Sequence, residues 1–252
     1  MAAYQAAVAQ VRSRIQAFAE AAWRASPGYR DAQVERLVSV LVPRVQAGQL
    51  QVASLTSAYL ARVSGEAAVP VVQDEILNAR GVPASEVYRR PAVSVYTELA
   101  AGKPFEVALE AGATRLVSLA MTDLQMAKVR QSRASMSGGS FTYYRRVLTG
   151  NEDCALCMIA STQRYHKGDL MPIHPGCDCD VSALKADEDP GQVLDPDLLE
   201  RTHDLVGDSG GAVDRSTTDD YRNLLATREH GEVGPVLTWR SNNFTGPEDL
   251  RR

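Results

Sequence analysis

Two short stretches, Cys154-Ala155-Leu156-Cys157 and His174-Pro175-Gly176-Cys177-Asp178-Cys179, hold all four cysteines of the chain within 26 residues. Paired spacing of this kind is typical of structural zinc, which takes four sulfur or nitrogen ligands in a tetrahedron. Five side chains compete for the four positions: Cys154, Cys157, His174, Cys177 and Cys179. We therefore predict zinc or a similar metal here, with either His174 or Cys179 left outside the ligand set.

The even cysteine count also fits disulfides or reduced structural thiols, and these alternatives stay open. Met1-Ala2-Ala3-Tyr4 runs directly into a charged helical pattern, so we expect no secretory leader, which weakens the disulfide alternative. Few residues lie between the candidate ligands. A bound metal should therefore supply much of the folding energy of this region.

The 252 residues are 44% hydrophobic and 23% charged, enough for one large domain or two small ones. The net charge of -4 conceals +6 over residues 1–150, -2 over 151–185 and -8 over 186–252. A basic front favours nucleic acid or an acidic protein surface and an acidic tail favours a basic groove, although solvated faces would carry the same charges. No apolar run approaches the roughly 20 residues of a membrane span, so we expect no membrane contact.

Residues 1–136 are predicted to form a helical body. Apolar residues recur at steps of three and four in the first helix, at Val8, Val11, Ile15, Phe18 and Ala22. Gly48 predicts the end of a helix over 30–47, which Pro43 should kink or shorten, and residues 50–63 are predicted to form the next helix. Prolines and Gly81 then separate shorter helices, and residues 105–132 carry the longest helical pattern.

Residues 137–185 are predicted to form a small metal-binding module. Phe141, Tyr143 and Val147 alternate with more polar residues, and Tyr143-Tyr144 favours β-structure, which predicts a strand over 140–148. A second extended stretch over 170–173 would deliver His174, and Val181 would close the sheet.

Residues 186–252 are rich in Asp, Gly and Thr and are predicted to form an extended acidic arm. Only 221–227 has a helical pattern, and the apolar stretch 233–244 is expected to dock on a neighbour. The predicted fold is therefore mainly α: a helical N-terminal body, a small β-containing zinc-knuckle-like module and an extended C-terminal arm.

The sequence contains no motif typical of catalysis, and we expect no enzyme and no small-molecule substrate. A zinc deaminase needs His-x-Glu and Pro-Cys-x-x-Cys, and neither occurs. A metal nuclease using His166 or His174, with Asp169 as a ligand, stays an open alternative without a sharp signature. We instead expect His166 to lie in a turn that Asp169 caps.

The pair Arg145-Arg146 beside Tyr143-Tyr144 has the basic and aromatic character of a nucleic-acid contact. Residues on an ordinary strand face look the same, and we favour that interpretation.

The run Tyr144-Arg-Arg-Val-Leu-Thr-Gly-Asn-Glu-Asp-Cys154-Ala-Leu-Cys157, followed by Ile173-His174-Pro175-Gly176-Cys177-Asp178-Cys179, resembles the C-terminal motif of the Mu F-like minor head proteins of tailed bacteriophages. The later stretch from Ala226 to Trp239 resembles the tail of such proteins in phages of actinobacteria. The combined CxxC and HPxCxC pattern carries the specificity. The helical front matches only in order and character.

The resemblance implies a minor capsid (head morphogenesis) protein that associates with the portal oligomer and supports head assembly and DNA packaging or ejection. It would lie in the virion, inside the head near the portal, after assembly in the host cytoplasm. The front helices would contact the portal, and the major capsid or scaffold protein are further candidate partners.

One position departs from the pattern of the family. Relatives often carry Arg between the last two cysteines, where this chain has Asp178, and a carboxylate there repels a DNA backbone. DNA contact is therefore expected to be weak, and a zinc-containing DNA-binding or DNA-processing protein is the alternative function.

Overall fold

The computed structural model is mainly helical, with a small three-stranded sheet and a two-stranded hairpin. It describes residues 1–25, 27, 29–149, 155–170, 178–201, 225–230 and 234–239. The helices are α1 (Ala2–Ala25), α2 (Asp31–Ser64), α3 (Gln73–Leu77), α4 (Ala84–Val87), α5 (Arg90–Ala100), α6 (Phe105–Ser137) and α7 (Ala155–Ser161). The strands are β1 (Phe141–Val147), β2 (Arg164–His166), β3 (Asp180–Lys185), β4 (Leu225–His230) and β5 (Gly234–Trp239).

The chain divides into two compact units. The helical unit comprises Ala2–Tyr59 and Pro70–Gln131, and the sheet unit comprises Met1, Leu60–Val69 and Ser132–Arg252. The two divisions at Tyr59 and Gln131 fall inside helices, so α2 and α6 each contribute residues to both units.

The helical unit is built around one apolar core supplied by α1, α2, α5 and α6. The stripe predicted on α1 is confirmed at Val8, Val11 and Ile15, but it continues through Ala19 and Trp23. The predicted Phe18 and Ala22 are only half-buried and pack against the edge of the core. None of the helices in the described ranges has an apolar stretch long enough to cross a membrane.

Helix α2 runs without a break through Pro43 and Gly48, so the predicted division into two helices is wrong. Pro43 lies on the exposed side of the helix. Proline has no N–H, so one backbone hydrogen bond is absent on this solvent-facing side and the helix continues. A Cβ at Gly48 would lie 2.9 Å from a side-chain carbon of Ile15 and 3.1 Å from one of Leu124. Gly48 therefore permits close packing and does not end the helix.

The segments between α2 and α6 follow the predicted punctuation. Gly65 directly follows α2 and Gly102 follows Ala101, the C-cap of α5, and both have positive φ values, 75° and 76°, which glycine adopts without strain. Pro91 lies in the first turn of α5, where its missing N–H has no helical partner to lose. Helix α6 begins at Phe105 as predicted and extends to Ser137.

The three-stranded sheet has the order β2-β1-β3, with both pairings antiparallel. The prediction of a strand over 140–148 is confirmed at Phe141–Val147. A register shift between Phe141 and Tyr143 reverses the alternation, so that Tyr144 and Arg146 are buried while Tyr143 is half-buried. Strand β2, which supplies an edge of the sheet, was not predicted.

The sheet unit includes the ends of both long helices, which are joined to the strands by polar contacts. The Ser140 N–H donates to Glu66 Oε1 at 3.2 Å, and Lys185 Nζ donates to the Ser64 carbonyl oxygen at 3.4 Å. Lys167 Nζ donates to the Met136 carbonyl oxygen at 3.1 Å. These contacts connect residues 60–69 and the end of α6 to all three strands or the turns beside them.

The segment after β3 turns back along β2. Gln163 forms an isolated antiparallel bridge with Val193, and the Leu194 N–H donates to the Thr162 carbonyl oxygen at 2.7 Å. Residues 196–201 are helical. Residues 225–230 pair with 234–239 in the hairpin, so the helical pattern predicted over 221–227 is wrong at 225–227. The remainder of the predicted arm lies outside the described residues.

Candidate metal centre

The buried face of the three-stranded sheet forms the floor of the candidate centre. Arg146 on β1 lies directly opposite Val181 on β3, and Tyr144 lies opposite Ala183. Directly opposed residues of an antiparallel pair project to the same face. All four side chains are buried, so this face packs against the rest of the sheet unit.

Two candidate ligands, Cys157 and Cys179, lie within the described residues. Cys157 is in the first turn of α7 and is 1% exposed, and Cys179 directly precedes β3 and is 0% exposed. Both are free thiols, so the disulfide alternative receives no support from these two residues. Their burial and reduced state suit sulfur ligands of a structural metal.

Arg146 is the unexpected member of the centre. Its side chain is 2% exposed, and its Nη1 donates to Cys179 Sγ at 3.4 Å. Its guanidinium carbon lies 5.8 Å from the centre of the Tyr144 ring. The sequence analysis considered Arg145 and Arg146 as a pair and favoured an ordinary strand face, and in the structure only Arg145 of the two is exposed.

Two stacked tyrosines lie beside Arg146 on the same face. The rings of Tyr144 and Tyr165 have centroids 5.4 Å apart and planes 27° apart. The Tyr144 hydroxyl donates to the Asp169 carbonyl oxygen at 3.3 Å. Burial raises the pKa of Tyr144, against the opposing charge of Arg146, and burial also raises the pKa of Tyr165. Both hydroxyls therefore stay protonated at neutral pH.

Asp178, the departure from the family pattern, has a local partner. Thr149 Oγ1 donates to Asp178 Oδ2 at 3.0 Å. Thr149 follows β1 and Asp178 precedes Cys179, so this bond joins the two chain segments that lead into and out of the cysteine region. The carboxylate thus has a structural contact within the module.

His166 lies at the end of β2 and not over the buried face. Its side chain is exposed, and its Nδ1 accepts the Gly168 N–H at 3.2 Å. This bond makes His166 the cap of the turn Lys167–Asp169, so the prediction that Asp169 caps it is wrong. His166 caps the turn because it precedes the turn and its nitrogen faces the first N–H groups, which have no partner within the turn.

The opposite face of the sheet carries a second arginine that the sequence did not single out. The Arg164 guanidinium lies 3.7 Å from the centre of the Tyr143 ring, and its Nε is 2.6 Å from Asp189 Oδ1. The same Nε donates to the Gly191 carbonyl oxygen at 3.1 Å. Arg164 therefore holds the segment after β3 against β2.

The other three candidate ligands, Cys154, His174 and Cys177, lie outside the described residues. Within the described ranges, no three His, Cys, Asp or Glu side chains form a group that could hold a metal ion. The donor chemistry that is described nevertheless fits zinc: two buried free thiols, one of which accepts an N–H from a buried cation.

Comparison with known proteins adds no assignment. No protein-family model, no curated protein and no solved structure matches this chain.

Proposed function

We propose that this chain is a minor head protein of a tailed bacteriophage, a structural component that docks on the portal oligomer and supports head assembly and DNA packaging or ejection. It would act without catalysis, inside the head of the virion near the portal. The observation that carries the proposal is the CxxC and HPxCxC pattern. Its two described cysteines, Cys157 and Cys179, are buried thiols beside a small sheet.

The character of the helical unit supports a docking role. Its core is closed by its own helices, so it can present a rigid surface without losing conformational freedom on binding. Large apolar side chains nevertheless remain exposed on α5, where Val93 and Tyr96 lie one turn apart and are 62% and 52% exposed. Exposed apolar neighbours of this kind are typical of protein contacts.

Co-purification with the portal protein encoded beside it tests the proposal directly. We expect stable co-elution, and mass analysis of the complex would give the number of copies bound per portal ring. Val93→Asp should weaken the complex because it places a charge in an apolar contact. Val40→Asp on α2, where the side chain is 46% exposed, is the matched control. Clean separation of the wild-type chain from an intact portal would refute the proposal.

A second candidate is a zinc-containing DNA-binding or DNA-processing protein. Its support is the exposed Arg145 on the same side of the sheet as the Arg164 and Tyr143 pair, which combines basic and aromatic groups. The burial of Arg146 weighs against it. This candidate predicts DNA affinity that falls steeply with salt and weakens in Arg145→Ala, whereas affinity independent of salt would exclude it.

A further inference from the structure

The face of the three-stranded sheet opposite the buried one carries a compact group of cationic and hydrogen-bonding side chains, which we call the outer face. Its members come from β1 and β2: Tyr143 lies directly opposite His166, and Arg145 lies directly opposite Arg164. Opposed residues of an antiparallel pair project to the same side, with Cβ atoms about 4.5–5.5 Å apart. Arg145 and His166 are exposed, whereas Arg164 and Tyr143 are half-buried. The outer face therefore gathers two guanidiniums and an imidazole on one small patch.

The charges of the two opposed arginines are only partly compensated. Arg164 pairs with Asp189, whose Oδ1 lies 2.6 Å from Arg164 Nε. In the part of the chain that the structure describes, the Arg145 guanidinium makes no ion pair and no hydrogen bond. Like charges directly opposite each other in a sheet repel, so the one carboxylate leaves this pair with an excess of positive charge. An anion beside Arg145 would offset that excess.

The polar groups of the outer face suit phosphate oxygens. His166 Nδ1 accepts the Gly168 N–H at 3.2 Å, so the ring proton lies on Nε2, which is then a donor. Arg145 offers only donors, and charge-assisted bonds from guanidinium to phosphate are among the strong hydrogen bonds of proteins.

The one tyrosine of the outer face is already in contact with its neighbours. The Arg164 guanidinium carbon lies 3.7 Å from the centre of the Tyr143 ring, and the His166 ring meets this ring edge-on with centroids 6.2 Å apart. A nucleic-acid base that stacked on Tyr143 would have to displace one of these contacts. The patch therefore favours contact with a phosphate backbone over stacking with bases.

We propose that the outer face binds the phosphate backbone of duplex DNA, with Arg145 and the Nε2–H of His166 donating to phosphodiester oxygens and Arg164 adding positive charge. A duplex carries phosphates more densely than a single strand and keeps its bases stacked inside, which matches a cationic patch without an open ring. The inference rests on the second candidate function, DNA binding, and it requires neither portal binding nor a metal. A patch that spans two strands contacts about one phosphate, so one copy should bind weakly and without sequence preference.

The test measures the affinity of the full-length protein for a fluorescently labelled DNA duplex, by anisotropy at a series of salt concentrations. Arg145→Ala should raise the dissociation constant about 5-fold at low salt, the upper end for an exposed ion pair. It should also reduce the slope of log affinity against log salt by about 1. Arg36→Ala on α2 removes an equally exposed arginine from the helical unit and should leave both quantities unchanged. His166→Asn keeps an oxygen that can cap the turn but lacks the Nε2 donor, so it should weaken binding in the same direction.

A variant of Asp189 tests the sign of the effect. Asp189 Oδ1 accepts the Gly191 N–H at 3.0 Å, and Asp189→Asn keeps an oxygen for this bond while it removes the charge that competes with phosphate for Arg164. Affinity for the duplex should therefore rise and its salt dependence should become steeper. Asp187→Asn, at an exposed residue two positions earlier, changes the net charge equally and should raise affinity less. A purely structural role of Asp189 predicts no gain in affinity.

Four results would overturn the inference. The first is an Arg145→Ala protein that binds the duplex as well as Arg36→Ala does. The second is tighter binding to a single strand of the same sequence, which would indicate base stacking. The third is competition by polyglutamate as effective as competition by unlabelled DNA of equal charge, which would indicate an acidic protein partner. The fourth is a wild-type protein without salt-dependent affinity for DNA, which would exclude the second candidate function as well. Salt-dependent affinity that the Arg145 and Asp189 variants do not change would exclude the outer face alone.

Discussion

A buried carboxylate in the helical unit, Asp123 on α6, joins this helix to the turns that follow α3 and α4. Its Oδ1 lies 2.6 Å from Arg80 Nε, and its Oδ2 accepts the Tyr88 hydroxyl at 2.6 Å. The Arg80 and Asp123 side chains are 6% and 8% exposed, so water screens the pair poorly. Burial lowers the pKa of the nearby Arg115, and the charges of Arg90 and Arg80 lower it further.

Replacing this carboxylate by an amide should be among the most damaging single changes in the helical unit. Asp123→Asn keeps the shape of the side chain but leaves the Arg80 charge buried without its anion, which typically costs about 3–5 kcal/mol of unfolding free energy. We expect a loss within that range, because the Arg80 and Asp123 side chains are both almost fully buried. Tyr88→Phe removes one hydrogen bond to a charged acceptor and should cost about 1.5–3 kcal/mol.

Urea denaturation followed by tryptophan fluorescence measures these losses. The chain has two tryptophans, and a Trp239→Phe background leaves Trp23, which is buried in the core of the helical unit, as the reporter. The control is a triple variant, Arg80→Met/Asp123→Leu/Tyr88→Phe, which removes the charges and the hydroxyl together. It should recover most of the loss, since apolar replacement of a buried ion pair is often neutral. A loss below about 1 kcal/mol for Asp123→Asn would refute the reasoning, because that is the size of an ordinary substitution.

The remaining predictions concern packing, pH and the cysteines. Gly112→Ala on α6 would place a Cβ 2.5 Å from a ring carbon of Trp23. The overpacking should cost up to about 3 kcal/mol, more than the roughly 1 kcal/mol that alanine gains through helix propensity. Urea denaturation should therefore show a net loss of stability. Burial raises the pKa of Tyr88 well above 10.0, so above about pH 10 the native state keeps a proton that the unfolded chain loses. The contribution of Tyr88 to the free energy of unfolding should therefore be full below about pH 10 and should decrease above it. In urea denaturation at a series of pH values, Tyr88→Phe should make this alkaline decrease less steep. Cys154→Ser or Cys177→Ser should unfold residues 140–185 locally, detected by proteolysis there, while the helical unit stays protected.

Each of these predictions has a matched control. Thr114→Ala on the exposed side of α6 changes helix propensity without packing, so it should stabilise slightly where Gly112→Ala destabilises. Tyr96→Phe removes an exposed hydroxyl and should leave the alkaline fall unchanged. The packing prediction would be contradicted if Gly112→Ala had wild-type stability. The pH prediction would be contradicted if stability fell as steeply with pH in Tyr88→Phe as in the wild type. The cysteine prediction would fail if the variants resisted proteolysis as well as the wild type does.

The helices were predictable because their apolar residues repeat with the helical period and are buried in one core. Val34, Leu37, Val38 and Leu41 on α2 are buried as expected. The division of α2 was predicted wrongly because a proline or a glycine reports only a local preference, whereas tertiary packing decides whether the helix continues. Gly48 is required by the close approach of Ile15 and Leu124, residues distant in sequence.

The sheet and its centre were predictable only in outline. Strand β1 was recognised from its composition, but the bulge after Phe141 reversed which residues are buried, and a one-residue shift exchanges the two faces of a strand. The sequence therefore did not distinguish the buried Arg146 from the exposed Arg145. Strand β2 is three residues long, too short to show alternation. The cysteine spacing predicted the position of the module. The contact between Cys179 and Arg146 could not be predicted, because it depends on the register between β1 and β3.

The sheet unit joins residues 60–69 to residues from Ser132 onward, and this has a consequence during synthesis. The Lys185 contact with Ser64 spans 121 residues of chain, whereas the helical unit is complete once Gln131 has been made. At about 5–20 residues per second, the stretch from Ser132 to Lys185 takes roughly 3–11 s to translate. During that interval the end of α2 has been synthesised, but the strands that it contacts have not.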